Sequence, residues 1–174
     1  MLSFETFLCR WLPLVGLAAS LGGCNVEPLY GGPGGQNLQA NLAAIAIDPV
    51  PDRLGHYLGD ELIYALNGTG SQVTPKYRLT IMTAERVSTP IVDTLSGQAT
   101  AATVAVDANY KLTNIAGGGT ITEGTAFNVA SYDRGSNRFA DTRAARDAEI
   151  RDAKQLAEQL RNRLAIALRA PPPQ

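Results

Sequence analysis

The sequence has one histidine, two cysteines and an aromatic content of 6%, so the residues that most often build catalytic and metal sites are scarce. His56 stands alone, and no set of cysteine, histidine and carboxylate residues has the spacing of a zinc site. The adjacent carboxylates Asp60 and Glu61 fall on different sides of a predicted helix. We therefore predict that the protein is not an enzyme, holds no metal and binds no cofactor.

An excess of charge of one sign is also missing. The chain carries 15 lysines and arginines against 16 aspartates and glutamates, which gives a formal net charge of −1. Nucleic-acid binding requires a basic surface, so we predict no nucleic-acid partner. The apolar run over residues 11–22 is too short to cross a bilayer as a helix, which needs about 20 residues.

That short apolar run instead has the length of a signal-peptide core. Arg10 precedes it, and the small residues Gly22 and Gly23 come directly before Cys24. This arrangement resembles the lipobox of bacterial lipoproteins, in which the cysteine thiol receives a diacylglycerol and the peptide bond before it is cut. We predict that residues 1–23 are a lipoprotein signal peptide and that Cys24 is lipidated.

Once residues 1–23 are removed, Cys24 is the last cysteine of the chain, so no intramolecular disulfide can form. Several acyl chains on Cys24, palmitate among them, would anchor the protein stably, whereas a single chain binds a membrane only marginally. The alternative is an ordinary secretory signal followed by a buried structural cysteine. Asn25 follows in place of the aspartate that retains enterobacterial lipoproteins in the inner membrane, so we expect the outer membrane, on its periplasmic side.

The rest of the chain divides by composition into three parts. Residues 24–40 are rich in glycine and without periodicity, which indicates a lipidated N-terminus and a flexible tether. Residues 41–170 carry the helical and strand patterns of one domain, and the proline-rich residues 171–174 end the chain. We therefore predict a single folded domain between a tether and a short tail.

The pattern within residues 41–170 predicts the element order β-α-β-β-β-α. A short strand at Ile45 and Ile47 precedes a helix with leucines at three- and four-residue spacing. Three alternating strands cover residues 76–87, 100–115 and 120–132, and a long helix runs from about residue 139 to 168. The predicted fold class is α/β: a two-layer α+β sandwich of a four-stranded, mostly antiparallel sheet with two helices on one face.

Alternation also predicts which side chains face the helices. The predicted apolar face contains Tyr77, Leu79 and Ile81 on the second strand, Val104, Val106, Ala108, Tyr110 and Leu112 on the third, and Ile121, Thr125, Phe127 and Val129 on the fourth. The polar face carries Lys76, Arg78 and Lys111, with Arg134 and Arg138 in the loop that follows the sheet. These bases are either scattered solvated charges or a basic rim that binds an anionic amphiphile.

The run CNVEPLYGG, the helix DRLGHYLGDELIYAL and the segment SYDRGSNRFADTRAARDAEIRDAKQLAEQLRNRLA together resemble the LptE family in its alphaproteobacterial form. The resemblance spans nearly the whole chain after Cys24. It implies an outer-membrane lipoprotein that plugs and helps assemble the LptD-type β-barrel translocon and supports lipopolysaccharide transport. The implied partners are the barrel, lipopolysaccharide and the membrane. The resemblance assigns no contact residues; from their position on the polar face alone, Lys76, Arg78 and Lys111 are the candidate lipopolysaccharide contacts.

Two other interpretations remain open from the sequence. An auxiliary lipoprotein of an ABC-type envelope lipid transporter has the same plan of anchor, tether and small α/β domain. An envelope enzyme would need a deep pocket with several convergent polar groups, for which the sequence gives no pattern.

Overall fold

The computed structural model describes residues 33–68, 73–92 and 99–169. Three helices and four strands follow one another along the chain: α1 (Pro33–Ala43), β1 (Ile45–Ile47), α2 (Asp52–Asn67), β2 (Tyr77–Val92), β3 (Ala99–Asn114), β4 (Thr120–Asp133) and α3 (Arg138–Arg169). The signal peptide, Cys24, the first part of the predicted tether and the proline-rich tail lie outside the described residues.

The four strands form one sheet in the order β1-β2-β3-β4. Strand β1 pairs with β2 in parallel, from Ile45 beside Tyr77 to Ile47 beside Leu79, while β2, β3 and β4 form an antiparallel meander. We call the end near Tyr77, Asn114 and the β3–β4 turn the hairpin end, and the opposite end the far end. The predicted mostly antiparallel four-stranded sheet is confirmed.

Helices α2 and α3 cover one face of this sheet, as predicted. Alternate residues of β3, from Ala102 to Leu112, are buried beneath them, together with Leu79 and Ile81 of β2. The helices contribute a leucine layer to the same core: Leu54, Leu58, Leu62 and Leu66 from α2, and Leu156, Leu160 and Leu164 from α3. Helix α2 packs chiefly on α3 rather than on the sheet, so the far half of β2 lacks a helix above it.

The predicted apolar face of β4 is wrong by one residue of register from Thr125 onward, whereas Ile121, next to an irregularity in the β3–β4 pairing, packs against the core. Ala126 and Ala130 face the helices, whereas Phe127 and Val129 lie on the opposite face and are 50% and 44% exposed. The buried face of β4 is made of small and polar side chains because α3 lies close above it. Four alanines of α3 are fully or almost fully buried: Ala148, Ala153, Ala157 and Ala165.

The predicted tether is also wrong over residues 33–40, because Pro33–Ala43 forms helix α1. Pro33 occupies the first helical position, where its missing N–H is not needed and its fixed φ is favourable. Leu38 and Leu42, one helical turn apart, are buried against α2 and α3. The structured domain therefore begins closer to Cys24 than composition indicates.

Helix α3 has 32 residues and spans about 48 Å along the outer edge of β4. Its side chains donate hydrogen bonds to the outward carbonyls of that edge strand: Arg151 to Ser131 at 2.9 Å, Gln159 to Phe127 at 3.3 Å and Arg163 to Thr125 at 2.5 Å. Four residues of a helix rise about 6 Å and two residues of a strand about 6.7 Å. Side chains one helical turn apart on α3 can therefore reach successive outward carbonyls of β4. This edge of the sheet is thereby occupied.

A buried polar cluster lies between α3 and the middle of the sheet. Arg53 of α2 donates two hydrogen bonds to Glu149, which is 3% exposed, and the Arg53 Nε–Oε2 distance is 2.8 Å. Asp152 is fully buried, and its Oδ1 accepts from Asn128 Nδ2 at 2.6 Å while its Oδ2 has no partner. Glu85 of β2 is exposed and borders the cluster, in the same row of the sheet as Asn128. Together with Glu85, the cluster therefore holds three carboxylates and one arginine.

Two glycines of α2 have opposite surroundings, which gives a matched test of the packing. A Cβ at Gly55 would lie 2.7 Å from Val50 Cγ1 and 2.9 Å from the Val50 carbonyl oxygen, whereas nothing lies within 4 Å of a Cβ at Gly59. We expect Gly55→Ala to lower the free energy of unfolding by about 1–3 kcal/mol through overpacking. Gly59→Ala should raise it by up to about 1 kcal/mol through helix propensity. Urea unfolding measures both, and equal effects would contradict the close approach at Gly55.

Candidate functional site: the open face of the sheet

The face of the sheet away from the helices is uncovered by any described element. We call it the open face. Its side chains come from alternate positions of the three long strands: Arg78, Thr80, Met82, Ala84, Arg86 and Ser88 from β2, Thr103, Ala105, Asp107, Asn109, Lys111 and Thr113 from β3, and Glu123, Thr125, Phe127, Val129 and Ser131 from β4. Hydroxyl, amide and small side chains predominate.

Charges on the open face are paired with one another or with its rim. Lys111 Nζ lies 3.4 Å from Glu123 Oε2, and Arg86 Nη2 lies 2.6 Å from Asp107 Oδ2. Arg78 Nη1 lies 3.7 Å from Asp48 Oδ1, in the loop after β1. The face is therefore close to neutral, not basic.

The three predicted lipopolysaccharide contacts lie together at the hairpin end of this face. Lys76 directly precedes β2, and Arg78 and Lys111 are diagonal neighbours across β2 and β3. No ion pair with a described carboxylate forms at Lys76, so it is the one of the three whose charge is not neutralised locally. Direct contact of these residues with lipopolysaccharide stays a prediction.

The other two bases of the predicted rim lie at the far end, next to Asp133. Thr113 stands beside Arg78 and Ala101 beside Asp133, so 12 positions of β3, roughly 40 Å, separate the two groups. Arg134 also lies 4.0 Å from Asp141. A single basic rim that joins Arg134 and Arg138 to Lys76 is therefore excluded.

Between Lys111 and the middle of the sheet the open face has a shallow depression of about 470 Å³. Thr80, Met82, Asn109, Lys111 and Glu123 border it, and Thr125 Oγ1 donates to Asn109 Oδ1 at 2.6 Å along its floor. Its polar groups are hydroxyl, amide and paired charges rather than an acid-base couple. It offers hydrogen-bonding positions for a bound surface and no arrangement suited to catalysis.

Sequence reasoning missed an apolar patch on the same face. Met82 of β2 is 68% exposed, and Phe127 and Val129 of β4 are 50% and 44% exposed, around Ala84 and Ala105. Phe127 and Val129 alternate along β4, and this alternation predicts an apolar face, but the structure places that face on the open side of the sheet. An apolar patch framed by hydroxyl groups is typical of a surface that meets a partner.

Within residues 33–68, 73–92 and 99–169, no cluster of three or more histidine, cysteine, aspartate or glutamate residues is arranged to hold a metal ion. None of the helices in these ranges is long and apolar enough to span a membrane.

Solved structures with the same fold include three bacterial lipoproteins. A predicted lipoprotein from Caulobacter crescentus matches with a TM-score of 0.63 at 20% identity, over 78% of this chain and 98% of that one. A minor lipoprotein from Acinetobacter baumannii matches with a TM-score of 0.57 at 17% identity, over 75% and 95%. The rare lipoprotein B from Shewanella oneidensis gives 0.50 at 10% identity, over 72% and 98%. At these identities the likeness establishes the fold alone.

No curated protein sequence matches the chain. A family model does: the model of LptE, described as lipopolysaccharide-assembly, matches residues 42–164, which run from the end of α1 through nearly all of α3. The match includes every strand of the sheet and the whole open face. The protein therefore belongs to the LptE family of lipopolysaccharide-assembly proteins.

Proposed function

We propose that the protein is an outer-membrane lipoprotein that plugs an LptD-type β-barrel, assists its assembly and supports lipopolysaccharide transport to the outer leaflet. The observation that carries this proposal is the match of residues 42–164 to the LptE family model. The proposed function is a structural one, for which the open face offers a binding surface.

The composition of the open face supports a barrel as the partner. The lumen of a large membrane barrel is polar and hydrated, so a surface that docks there needs hydroxyl and amide groups and self-neutralised charges. The open face has these in its threonines, serines and Asn109, and in the Lys111–Glu123 and Arg86–Asp107 pairs. Met82, Phe127 and Val129 add an apolar contact within it.

Lipidation of Cys24 is part of the proposal and explains how the domain stays at the membrane. Helix α1 begins at Pro33, so nine residues, Cys24 through Gly32, join the anchor to the fold. At roughly 3.5 Å per extended residue these reach at most about 30 Å. The domain is therefore held within one domain diameter of the membrane surface, on the periplasmic side.

The proposal is tested by purifying the tagged protein from detergent-solubilised envelope and identifying what accompanies it. We expect a large β-barrel protein to co-purify from the outer-membrane fraction. The Cys24→Ala variant should shift from the membrane pellet to the soluble or unprocessed pool, because it lacks the acylated residue. Mass spectrometry and fractionation measure the two effects.

Two results would contradict the proposal in different ways. Recovery of inner-membrane transporter subunits instead of a barrel would favour the auxiliary lipoprotein of an ABC-type lipid transporter. An unchanged membrane fraction for Cys24→Ala would refute the lipid anchor at Cys24 but would not bear on the barrel partnership.

A further inference from the structure

Strand β2 is an edge strand over most of its length. Strand β1 has only three residues and pairs with Tyr77, Arg78 and Leu79, and the last bond across this edge is from Asp48 N–H to the Leu79 carbonyl at 2.9 Å. Beyond that point no described residue forms a hydrogen bond with the outer edge of β2 up to Ser88, where its pairing with β3 becomes irregular. An unpaired edge of this length can accept another strand.

The direction of the backbone groups along this edge follows from its first bonds. Tyr77 N–H donates to Ala44 and the Leu79 carbonyl accepts from Asp48, so odd-numbered residues point their backbone groups away from β3. In an antiparallel ladder the two backbone groups of one residue point to the same side. Ile81, Thr83, Glu85 and Val87 therefore present N–H and C=O groups outward in an unbroken series.

The opposite edge of the sheet, on β4, is covered by a helix. Side chains of α3 donate to the outward carbonyls of Ser131, Phe127 and Thr125 on β4. Among the described helices none lies along β2 in that way, since α2 packs chiefly on α3. Side chains of α3 therefore occupy the β4 edge, whereas no described residue occupies the β2 edge beyond Leu79.

Charge indicates what kind of strand the free edge accepts. Glu85 projects from the middle of this edge toward Glu149 and Asp152, and the nearby cation from α2, Arg53, is already bonded to Glu149. A strand added to β2 places a side chain directly opposite Glu85, with Cβ atoms about 5 Å apart. A lysine or arginine at that position would supply the second positive charge that the three carboxylates lack.

We propose that residues 81–87 of β2 form a strand-addition site for an extended segment of a partner protein that carries a lysine or arginine opposite Glu85. A second copy of the chain is disfavoured, because the positions of this edge whose backbone groups point outward are Ile81, Thr83, Glu85 and Val87, so no antiparallel self-pairing places a lysine or arginine opposite Glu85. This proposal depends on the unpaired β2 edge and not on the proposed barrel function, and it goes beyond that function.

Photocrosslinking in cells tests the occupant. A benzoylphenylalanine at Val87, which is 58% exposed on this edge, should form an adduct whose partner peptide is an extended segment with a basic residue within two positions of the crosslink. The Glu85→Lys variant should reduce the adduct about tenfold, the effect of losing one hydrogen bond between charged groups. No adduct, a crosslink to a second copy, or a peptide without a basic residue would overturn the proposal.

A proline pair tests strand addition itself. Val87→Pro removes an outward N–H that forms no bond within the described chain, so the unfolding midpoint should change little while capture of the segment is lost. Ser131→Pro removes an outward N–H on the β4 edge and should leave capture unchanged. Capture of the segment by a folded Val87→Pro protein at the wild-type level would refute strand addition, and it would leave the barrel partnership untouched.

Discussion

Replacement of Arg53 by methionine should lower the free energy of unfolding by about 3 kcal/mol, whereas Glu149→Met should lower it by under about 1 kcal/mol. The asymmetry follows from burial. Glu149 is 4% exposed in its side chain and would be left as an uncompensated buried charge, while Arg53 is 57% exposed and can turn its guanidinium to water. Removal of the exposed partner is therefore the more harmful change.

The double variant isolates the charge effect. When Glu149 is already methionine, Arg53→Met should cost little, so the two substitutions together should cost about as much as Glu149→Met alone. Urea unfolding of the four proteins gives the coupling free energy, which we expect to be about 3 kcal/mol. Equal losses for the two single variants, with no coupling, would show that side-chain packing and not the buried charge governs this site.

The second large effect concerns Asp152 and the dependence of stability on pH. Burial raises the pKa of the Asp152 carboxyl above its ordinary value of 3.8, against the Asn128 hydrogen bond and the Arg151 charge, which lower it. Burial also raises the pKa of Glu85, and the charge of Glu149 adds to that rise. Both acids therefore hold a proton in the folded protein at pH values at which the unfolded chain has released it.

The sign of the pH effect follows from this difference. Stability contributed by these groups is fully present below their unfolded pKa values, near 4, and is lost as the pH rises through the folded values. At neutral pH Asp152→Asn should raise the free energy of unfolding by about 1 kcal/mol and flatten its decline with pH.

The exposed Asp147 on the same helix provides the control. Its side chain is 69% exposed, so Asp147→Asn should leave the dependence of the unfolding free energy on pH unchanged. Unfolding midpoints between pH 4 and 8 measure both variants. If Asp152→Asn showed the wild-type dependence of stability on pH, this would contradict a buried Asp152 that is protonated in the folded protein.

Much of the fold could be predicted from the sequence because hydrophobic contrast between faces was strong. On β3 a continuous series of apolar residues alternates with threonine, aspartate, asparagine and lysine, so the buried side was unambiguous. The leucines of α2 recur at helical spacing and all four are buried. Where one face is clearly apolar, periodicity alone assigns it.

Strand β4 shows where that reasoning fails. Its alternate residues are either apolar and large, such as Phe127 and Val129, or small, such as Ala126 and Ala130. Hydrophobicity selects the first set for burial, but the close approach of the alanine-rich α3 requires the second. The choice depends on the size of the groups across the interface, which a single strand does not reveal. The large residues are left on the open face, where a partner can cover them.

The polar cluster and the free β2 edge were equally hidden from sequence reasoning. Arg53 and Glu149 are 96 positions apart, and only the crossing of α2 and α3 joins them. The free edge depends on the three-residue length of β1, which leaves Ile81–Val87 uncovered. Helix α1 did have a local signal, in Pro33 and the spacing of Leu38 and Leu42, which the surrounding glycines obscured.

We propose that this LptE-family protein docks on an outer-membrane barrel, and a crosslink from the open face is the sharpest test of that docking. A photoreactive residue at Phe127, which is 50% exposed there, should form an adduct with a large β-barrel protein after irradiation of intact cells. The adduct should be absent from cells kept in the dark, and its peptide should map to the lumen side of the barrel. A crosslink to inner-membrane transporter subunits, or none despite normal expression and folding, would contradict the account.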